Sequence, residues 1–280
     1  MSTQKPALHV VATPIGNLGD ITARARDILA SVDIVLCEDT RHSGRLLAEL
    51  GIKAELRSLH DHNERQRIEQ VLGDLDGGKS LALISDAGTP LISDPGFALV
   101  RALRDAGHDV VPVPGPSAVI SALSAAGLPT DRFSFEGFLP GKSGQRRKVL
   151  AALASDPRTL VFYESPRRIH ACLDDLATEF GPDRRVVIAR ELTKLHEEFI
   201  VGSVADLQAS LAGRELKGEC VLMLAGNDSE SSGIGLDADT LLKALLEELP
   251  ASKAAKLAAR LTGESRQELY ARASTLAGKS

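Results

Sequence analysis

Residues 8–22 read LHVVATPIGNLGDIT. An apolar run of strand length stops at Thr13, and Pro14–Asp20 then carries two glycines, a proline and an aspartate before a helical pattern begins. The same order recurs along the first part of the chain. Leu8–Thr13, Ile34–Cys37, Leu81–Ser85 and Val110–Val113 are short and rich in Val, Ile and Leu. Turn residues follow each run, and apolar positions at helical spacing come next, as in Ile28/Leu29/Val32, Leu46/Leu47/Leu50 and Ile68/Val71/Leu72/Leu75. Strands apolar along their whole length, joined by helices, belong to a parallel sheet covered on both faces. The pattern predicts an α/β domain over residues 1–115.

The next stretch differs. Phe133–Leu139, Leu160–Tyr163, Val186–Ala189, Phe199–Val204 and Cys220–Ala225 also read as strands, several joined by short links. Fewer helices lie between them: Pro116–Gly127, Gln145–Ala154, Arg168–Phe180 and Val204–Leu211. A second α/β domain with a mixed sheet is expected over 116–226. Gly226–Gly235 (GNDSESSGIG) has the composition of a linker. A helical tail over 237–280 follows, with Asp239 as a cap for Leu241–Leu249 and Ser252 for a helix through Leu261. Gly263 supplies a turn, and Ser265–Glu268 is a capping box for the last helix. Helix, tight turn, helix is a helix-turn-helix shape, which either binds nucleic acid or packs on a neighbouring domain.

With 280 residues, 43% hydrophobic and 25% charged, the chain is long enough to bury a large core without staples. Three widely spaced cysteines, Cys37, Cys172 and Cys220, suit neither a disulfide framework nor a zinc ribbon and are expected as small buried hydrophobes. Met1–Pro6 is polar and short, unlike a secretion signal, and no apolar run reaches membrane-spanning length. A cytoplasmic protein is expected.

A net charge of -5 opposes a nucleic-acid partner, but the cations are clustered. Lys142, Arg146, Arg147 and Lys148 fall in one short segment, Arg167 and Arg168 follow Ser165-Pro166, and residues 251–280 hold six Lys/Arg against two Glu. Each cluster reads equally as a phosphate-tracking patch or as a solvated helix face.

Three expected strand ends are dense in Gly, Pro, Asp and hydroxyls: Thr13–Asp20, Ser85–Pro90 running on to Ser93–Gly96, and Pro112–Ser117. Ligands of open α/β sheets sit where such loops converge. Neither G-x-G-x-x-G nor a P-loop is present. An acidic, carbonyl-rich loop around Asp86 disfavours a pyrophosphate and suits a ligand with cationic and hydroxyl groups, such as a sulfonium and a ribose. The same loops also read as turns with helix caps, Asp20 and Ser117 being good N-cap residues.

Seven motifs in order go further. ATPIGNLGDIT (12–22), CEDTRHSGRLL (37–47), LISDAGTPLISDPG (83–96), VPGPSAVISALSAAGLP (113–129), FEGFLP (135–140), FYESPRRI (162–169) and ARELTKLHEE (189–198) closely resemble the ribosomal RNA small subunit methyltransferase I family, a branch of the tetrapyrrole methylase-like proteins. The resemblance runs from about His9 to Ala225, and the tail resembles that family's helix-turn-helix extension. It implies two α/β domains with S-adenosylmethionine in the cleft between them, and a homodimer. It also implies 2'-O-methylation of a cytidine in 16S rRNA of the small ribosomal subunit. The family's cofactor loops fall on Pro14, Ile15, Asp86, Gly88, Thr89, Ser117 and Ala118, and more loosely on Phe162, Tyr163, Ala189 and Gly218.

Methyl transfer from a sulfonium needs no metal, and the protein mainly has to hold the ribose oxygen against the methyl carbon. Removing the hydroxyl proton as the bond forms adds roughly 10²–10⁴-fold. The polar density of residues 38–42 points to Asp39 as the base, with His42 beside it and Arg41 to hold a phosphate. Glu38, Glu164 and Glu191 are further carboxylates at strand ends, each of which a nearby Arg could claim instead. HDHNE (60–64) offers two histidines that point the same way on a strand but no evident third ligand, so no metal is expected. With no Trp and 3% aromatic residues, base stacking is poorly supplied, and Phe138, Tyr163 and His42 are the rings at hand. RNA contacts are expected instead from Arg41, Lys142, Arg146, Arg147, Lys148, Arg167, Arg168 and the tail. Rival readings are a precorrin-type C-methyltransferase, a non-catalytic ribosome assembly factor, and a metal-dependent phosphohydrolase built on Asp86 or Asp94.

Overall fold

The computed structural model describes residues 5–60, 63–227, 238–262 and 264–277. Met1–Ala225 forms one compact unit and Gly226–Ser280 a second.

The first unit holds two five-stranded sheets. In the first, β1 (Ala7–Val11), β2 (Ile34–Cys37), β3 (Glu55–Ser58), β4 (Leu81–Leu83) and β5 (Asp109–Val113) lie in the order β3-β2-β4-β1-β5, with every neighbouring pair parallel. Alternation along the strands sends Leu8, Ile34, Leu36, Leu81 and Leu83 to one face. There they meet Val71 and Leu75 of α3 (Glu64–Asp76) and Leu99 and Leu103 of α4 (Phe97–Asp105). Val11, Val35, Cys37 and Ala82 face the other way, against Ala25 and Leu29 of α1 (Ala23–Ser31) and Leu47 of α2 (Thr40–Glu49). Cover on both faces explains the continuous apolar runs. Strand β3 was not expected: it lies at the sheet edge, and its sequence ELRS lacks such a run. Asp20 does not cap α1. It ends a 3-10 turn, Leu18–Asp20, and Thr22 caps the helix by accepting from the Ala25 N–H at 3.1 Å.

The second sheet is mixed, as expected. Strands β6 (Phe133–Phe138), β7 (Thr159–Glu164), β8 (Arg185–Arg190), β9 (Glu198–Ser203) and β10 (Cys220–Leu224) take the order β6-β7-β10-β8-β9. The β6–β7 pair is parallel and the other three pairs are antiparallel. Helices α6 (Ser143–Leu153), α7 (Ile169–Phe180) and α8 (Val204–Ser210) cover the face that carries Leu160, Phe162, Ile188 and Leu222. Helix α5 (Ala118–Ala126) packs on the opposite face, against Val161, Val187, Ala189 and Val221. Ile15, from the loop after β1, is buried in that same cluster and ties the first sheet's loops to the second sheet.

Arg146 corrects the reading of its basic segment. Its side chain is 2% exposed and its guanidinium is fully engaged inside the fold. Nε donates to Asp175 Oδ2 at 2.7 Å, and the two terminal nitrogens reach the carbonyls of Pro140, Gly141 and Ala171. The helix brings Arg146 round to the face of Leu150, which is also buried, so it cannot meet RNA.

In the second unit, α9 (Ala238–Glu248), α10 (Ala251–Thr262) and α11 (Arg266–Ala277) enclose Leu242, Ala254, Ala255, Ala258, Leu269 and Ala273. Asp239 lies inside the first turn of α9 rather than at its cap. Most of the expected linker and Gly263 fall outside the described residues.

Removing one partner of a buried ion pair leaves the other charged and unpaired, at a cost of about 3–5 kcal/mol. Arg146→Ala is therefore expected to lower the stability of the folded chain by about that much in denaturant unfolding, whereas Lys148→Ala on the exposed face of the same helix stays within about 0.5 kcal/mol.

Candidate active site

Three loops meet at the carboxyl ends of β1, β4 and β5, and backbone bonds lock them together. The Thr13 N–H donates to Gly88 O at 2.8 Å, and the Gly88 N–H returns the bond to Thr13 O at 3.1 Å. Thr13 Oγ1 donates to Ser85 O at 3.2 Å, and Thr89 Oγ1 to Pro116 O at 3.0 Å. Gly88 sits at φ +81°, and a Cβ there would lie 3.3 Å from Ile15 Cγ2, so the residue supplies both the turn and the close approach.

These loops form one wall of a cavity of about 460 Å³. Ile15, Asp86, Gly88, Thr89, Ser117 and Ala118 line it from the first sheet's side, and Tyr163, Ala189 and Gly218 from the second. Two of the residues expected there are elsewhere. Phe162 is fully buried on the helix-covered face of the second sheet, because neighbours in a strand point to opposite faces and Tyr163 takes the cavity side. Pro14 is not among the lining residues; it immediately precedes Ile15 in the loop after β1. Ser117 precedes α5 but makes no side-chain capping bond.

The charged side chains that line the cavity are all acidic, although Arg168 and Lys194, outside the lining, pair with Glu164 and Glu219. Asp86, Asp94, Glu164 and Glu219 belong to its lining, and among the described residues no Lys, Arg or His does. Asp86 Oδ1 is buried and meets no hydrogen-bond partner among the described residues. Asp94 stands in a strained loop in which Leu91 and Ser93 both have positive φ, 73° and 64°. Burial pushes its carboxyl up to about 6, and the neighbouring Glu38 and Asp86 push it the same way against a Ser85 hydroxyl. The sequence places Asp94 in the loop that runs on from Asp86 but points to it as a reactive group only in the phosphohydrolase alternative. The signal for it was the doubled ISDAG (84–88) and ISDPG (92–96), which places a second aspartate beside the first.

The three expected catalytic groups are engaged outside the lining. Asp39 is the N-cap of α2: its Oδ1 accepts the Arg41 N–H at 2.7 Å and the His42 N–H at 3.4 Å. Those bonds hold its carboxyl below the usual range, which weakens it as a base. His42 Nε2 lies 3.1 Å from Asp86 O and braces the Asp86 loop from outside. Burial alone would raise the Glu191 carboxyl, but Lys194 Nζ at 2.9 Å and the Glu219 N–H at 3.1 Å outweigh it and hold it low. Glu191 also packs over Gly218, at φ +91°, where any Cβ would overlap its carboxylate.

Among the expected RNA contacts, Arg41, Lys142, Lys148 and Arg167 are exposed. Arg147 is paired with Glu179 at 2.6 Å, and Arg168 Nε donates to Glu164 Oε1 at 2.6 Å. Of the HDHNE stretch, Asp61 and His62 lie outside the described residues, and Asn63 Oδ1 accepts the His60 N–H at 2.9 Å. The three cysteines are free and buried.

A family model described as Tetrapyrrole (Corrin/Porphyrin) Methylases matches residues 7–208. A second, described as the RsmI C-terminal HTH domain, matches residues 232–277. The ribosomal RNA small subunit methyltransferase I of Xylella fastidiosa (strain Temecula1 / ATCC 700964) is 54% identical over 265 residues, 94% of this chain and 97% of that protein. The chain belongs to the ribosomal RNA small subunit methyltransferase I family. A family relative of the same name from Escherichia coli O157:H7 is 51% identical over 94% of this chain and 93% of its own length. Solved structures share the fold at lower identity. Uroporphyrin-III-C-methyltransferase from Thermus thermophilus matches with TM-score 0.57 and 23% identity over 78% of this chain and 94% of its own. Diphthine synthase matches with TM-score 0.61 and 13% identity over 78% and 90%.

A carboxyl raised from 3.8 to about 6 binds its proton more tightly in the folded chain, so its ionisation opposes folding. Stability contributed by the protonated form is complete below about pH 4 and is lost as pH rises through about 6. Asp94→Asn is accordingly expected to raise the unfolding temperature by ~2–4 °C at pH 8 and to leave it unchanged at pH 4. Scanning calorimetry at the two pH values checks this.

Proposed function

We propose that this chain transfers a methyl group from S-adenosylmethionine to the 2'-oxygen of a cytidine ribose in 16S rRNA of the small ribosomal subunit. One observation carries the reading. A chain half identical, over nearly its whole length, to proteins named ribosomal RNA small subunit methyltransferase I keeps a cavity with carboxylates and carbonyls but no cationic side chain among its lining. Asp86 and Asp94, the lining carboxylates without an ion-pair partner among the described residues, disfavour phosphate there and suit a sulfonium.

The residues present fit the cofactor. A volume of about 460 Å³ lies in the range of small-molecule sites. The partnerless Asp86 Oδ1 offers a buried acceptor to a ribose hydroxyl or an ammonium. Ile15, Ala118, Tyr163, Leu192 and Val221 add apolar surface for a base and a methylene chain. Bound there, S-adenosylmethionine supplies an electrophilic methyl on a positively charged sulfur.

The chain's own part is to hold the acceptor oxygen and take up its proton. Asp94 is the group that takes the proton, since it lines the cavity and a carboxyl titrating near 6 is both ionised and appreciably basic at neutral pH. Asp39 is better spent on capping α2. Exposed Arg41, Lys142, Lys148 and Arg167 are cations available to phosphates. Phe97, Ile120 and Leu195, at 68%, 55% and 92% exposure, are large apolar side chains suited to cover by a second copy in a homodimer. Among the described residues no helix is long and apolar enough to cross a membrane, and a cytoplasmic setting follows from the proposed substrate.

Mass spectrometry of 16S rRNA from cells with and without this protein tests the reading. Loss of one 2'-O-methylcytidine is expected; methylation on a base, or no change, overturns it. Asp94→Asn is expected to cut the rate of methyl transfer by roughly 10²–10⁴-fold and to leave cofactor affinity in calorimetry within a few-fold. A general base works deprotonated, so wild-type activity should climb with pH through about 6, and the variant should lose that limb.

A further inference from the structure

In a helix-turn-helix pair the second helix ordinarily enters the nucleic-acid groove. The second unit distributes its charge differently. Helix α10 carries Lys253, Lys256 and Arg260 with no acidic residue, and all three side chains are exposed. At 100° per residue they fall on one face, directly opposite the buried Ala254, Ala255 and Ala258. Exposed Leu257 lies at the edge of that face, beyond Lys253.

Helix α11 is a poorer phosphate surface. Arg272 is held by Glu264 at 3.0 Å and Asp239 at 3.7 Å, and Glu268 is exposed in the first turn. That leaves Arg266 as its one cation without an ion-pair partner among the described residues. Helix α9 opposes Lys243 with exposed Asp239, Glu247 and Glu248.

We infer that the second unit holds RNA by the Lys253–Lys256–Arg260 face of α10, which tracks the phosphate backbone, and not by α11. The inference rests on the functional reading above for the identity of the nucleic acid, and charge complementarity selects RNA phosphate as the occupant. Lys253 to Arg260 spans about 10 Å of helix axis, so the three cations address successive phosphates of one strand. Contacts of this kind carry no base specificity.

The test uses the full chain and purified small ribosomal subunits, with affinity measured across a series of KCl concentrations. Each neutralised phosphate contributes about 0.7–0.9 to the slope of log K against log salt. Lys253→Gln/Lys256→Gln/Arg260→Gln is expected to flatten that slope by about 2–3, and each single replacement by roughly a third of that. Gln keeps the helix propensity of the residues it replaces, and circular dichroism checks that the helices persist. The companion variant Arg266→Gln/Gln267→Ala/Tyr270→Ala on α11 should flatten it by no more than about 1. An unchanged slope in a folded α10 variant, or a larger effect from α11, overturns the inference. The same slope change with a polyanionic protein in place of RNA, and none with subunits, overturns it in favour of an acidic partner. Wild-type chain that methylates subunits while the α10 variants keep full affinity leaves the methyltransferase reading intact and removes this one; wild-type chain that neither binds nor methylates them removes both.

Discussion

Two hydrogen bonds exchanged between the backbones of Thr13 and Gly88 hold the site's geometry. Loops at the carboxyl ends of parallel strands have no ladder of their own, and each would otherwise leave polar backbone to be satisfied by water. Joining the loop after β1 to the loop after β4 fixes both, and the hydroxyls of Thr13 and Thr89 extend the join to Ser85 and Pro116. Ile15 is then delivered into the apolar cluster of the second sheet, so one loop serves as wall of the cavity and as rivet between the sheets. Pairing of β1 with both β4 and β5 puts all three loops on the same side of one sheet.

Charge is sorted by place in the molecule. The cavity lining concentrates carboxylates, and burial together with their mutual repulsion lifts Asp94. Exposed cations stand instead on helices and on the turn after β7, where water screens them until a polyanion arrives. An overall charge of -5 is compatible with RNA work when the two signs are kept apart in this way.

Strand and helix periodicity made the two sheets legible, because buried parallel strands must be apolar throughout and their helices must present one apolar face. Edge strand β3 was hidden by its polar side chains. The loops around Asp86 and Ser117 could be placed at strand ends from composition alone. Finer assignments failed where a motif spans both faces of a strand: FYE puts Phe162 and Tyr163 side by side in sequence and on opposite sides of a sheet. A run of basic residues hid a similar split, since Arg146 shares its helix face with buried Leu150, while Lys148 lies on the exposed side and Lys142 precedes the helix as its N-cap. Asp39 looked reactive because it stands in a polar segment, but an aspartate one residue before a helix more often serves the backbone.

The guanidinium of Arg146 has a consequence for α6 and α7. Its five N–H groups are spent on one carboxylate and three main-chain carbonyls, a fork-shaped demand that the three donors of a lysine cannot meet. Helix α6 is thereby pinned to α7 at a dry anchor point, and a conservative-looking exchange of one basic residue for another would loosen the platform from which the outward-facing lysines operate.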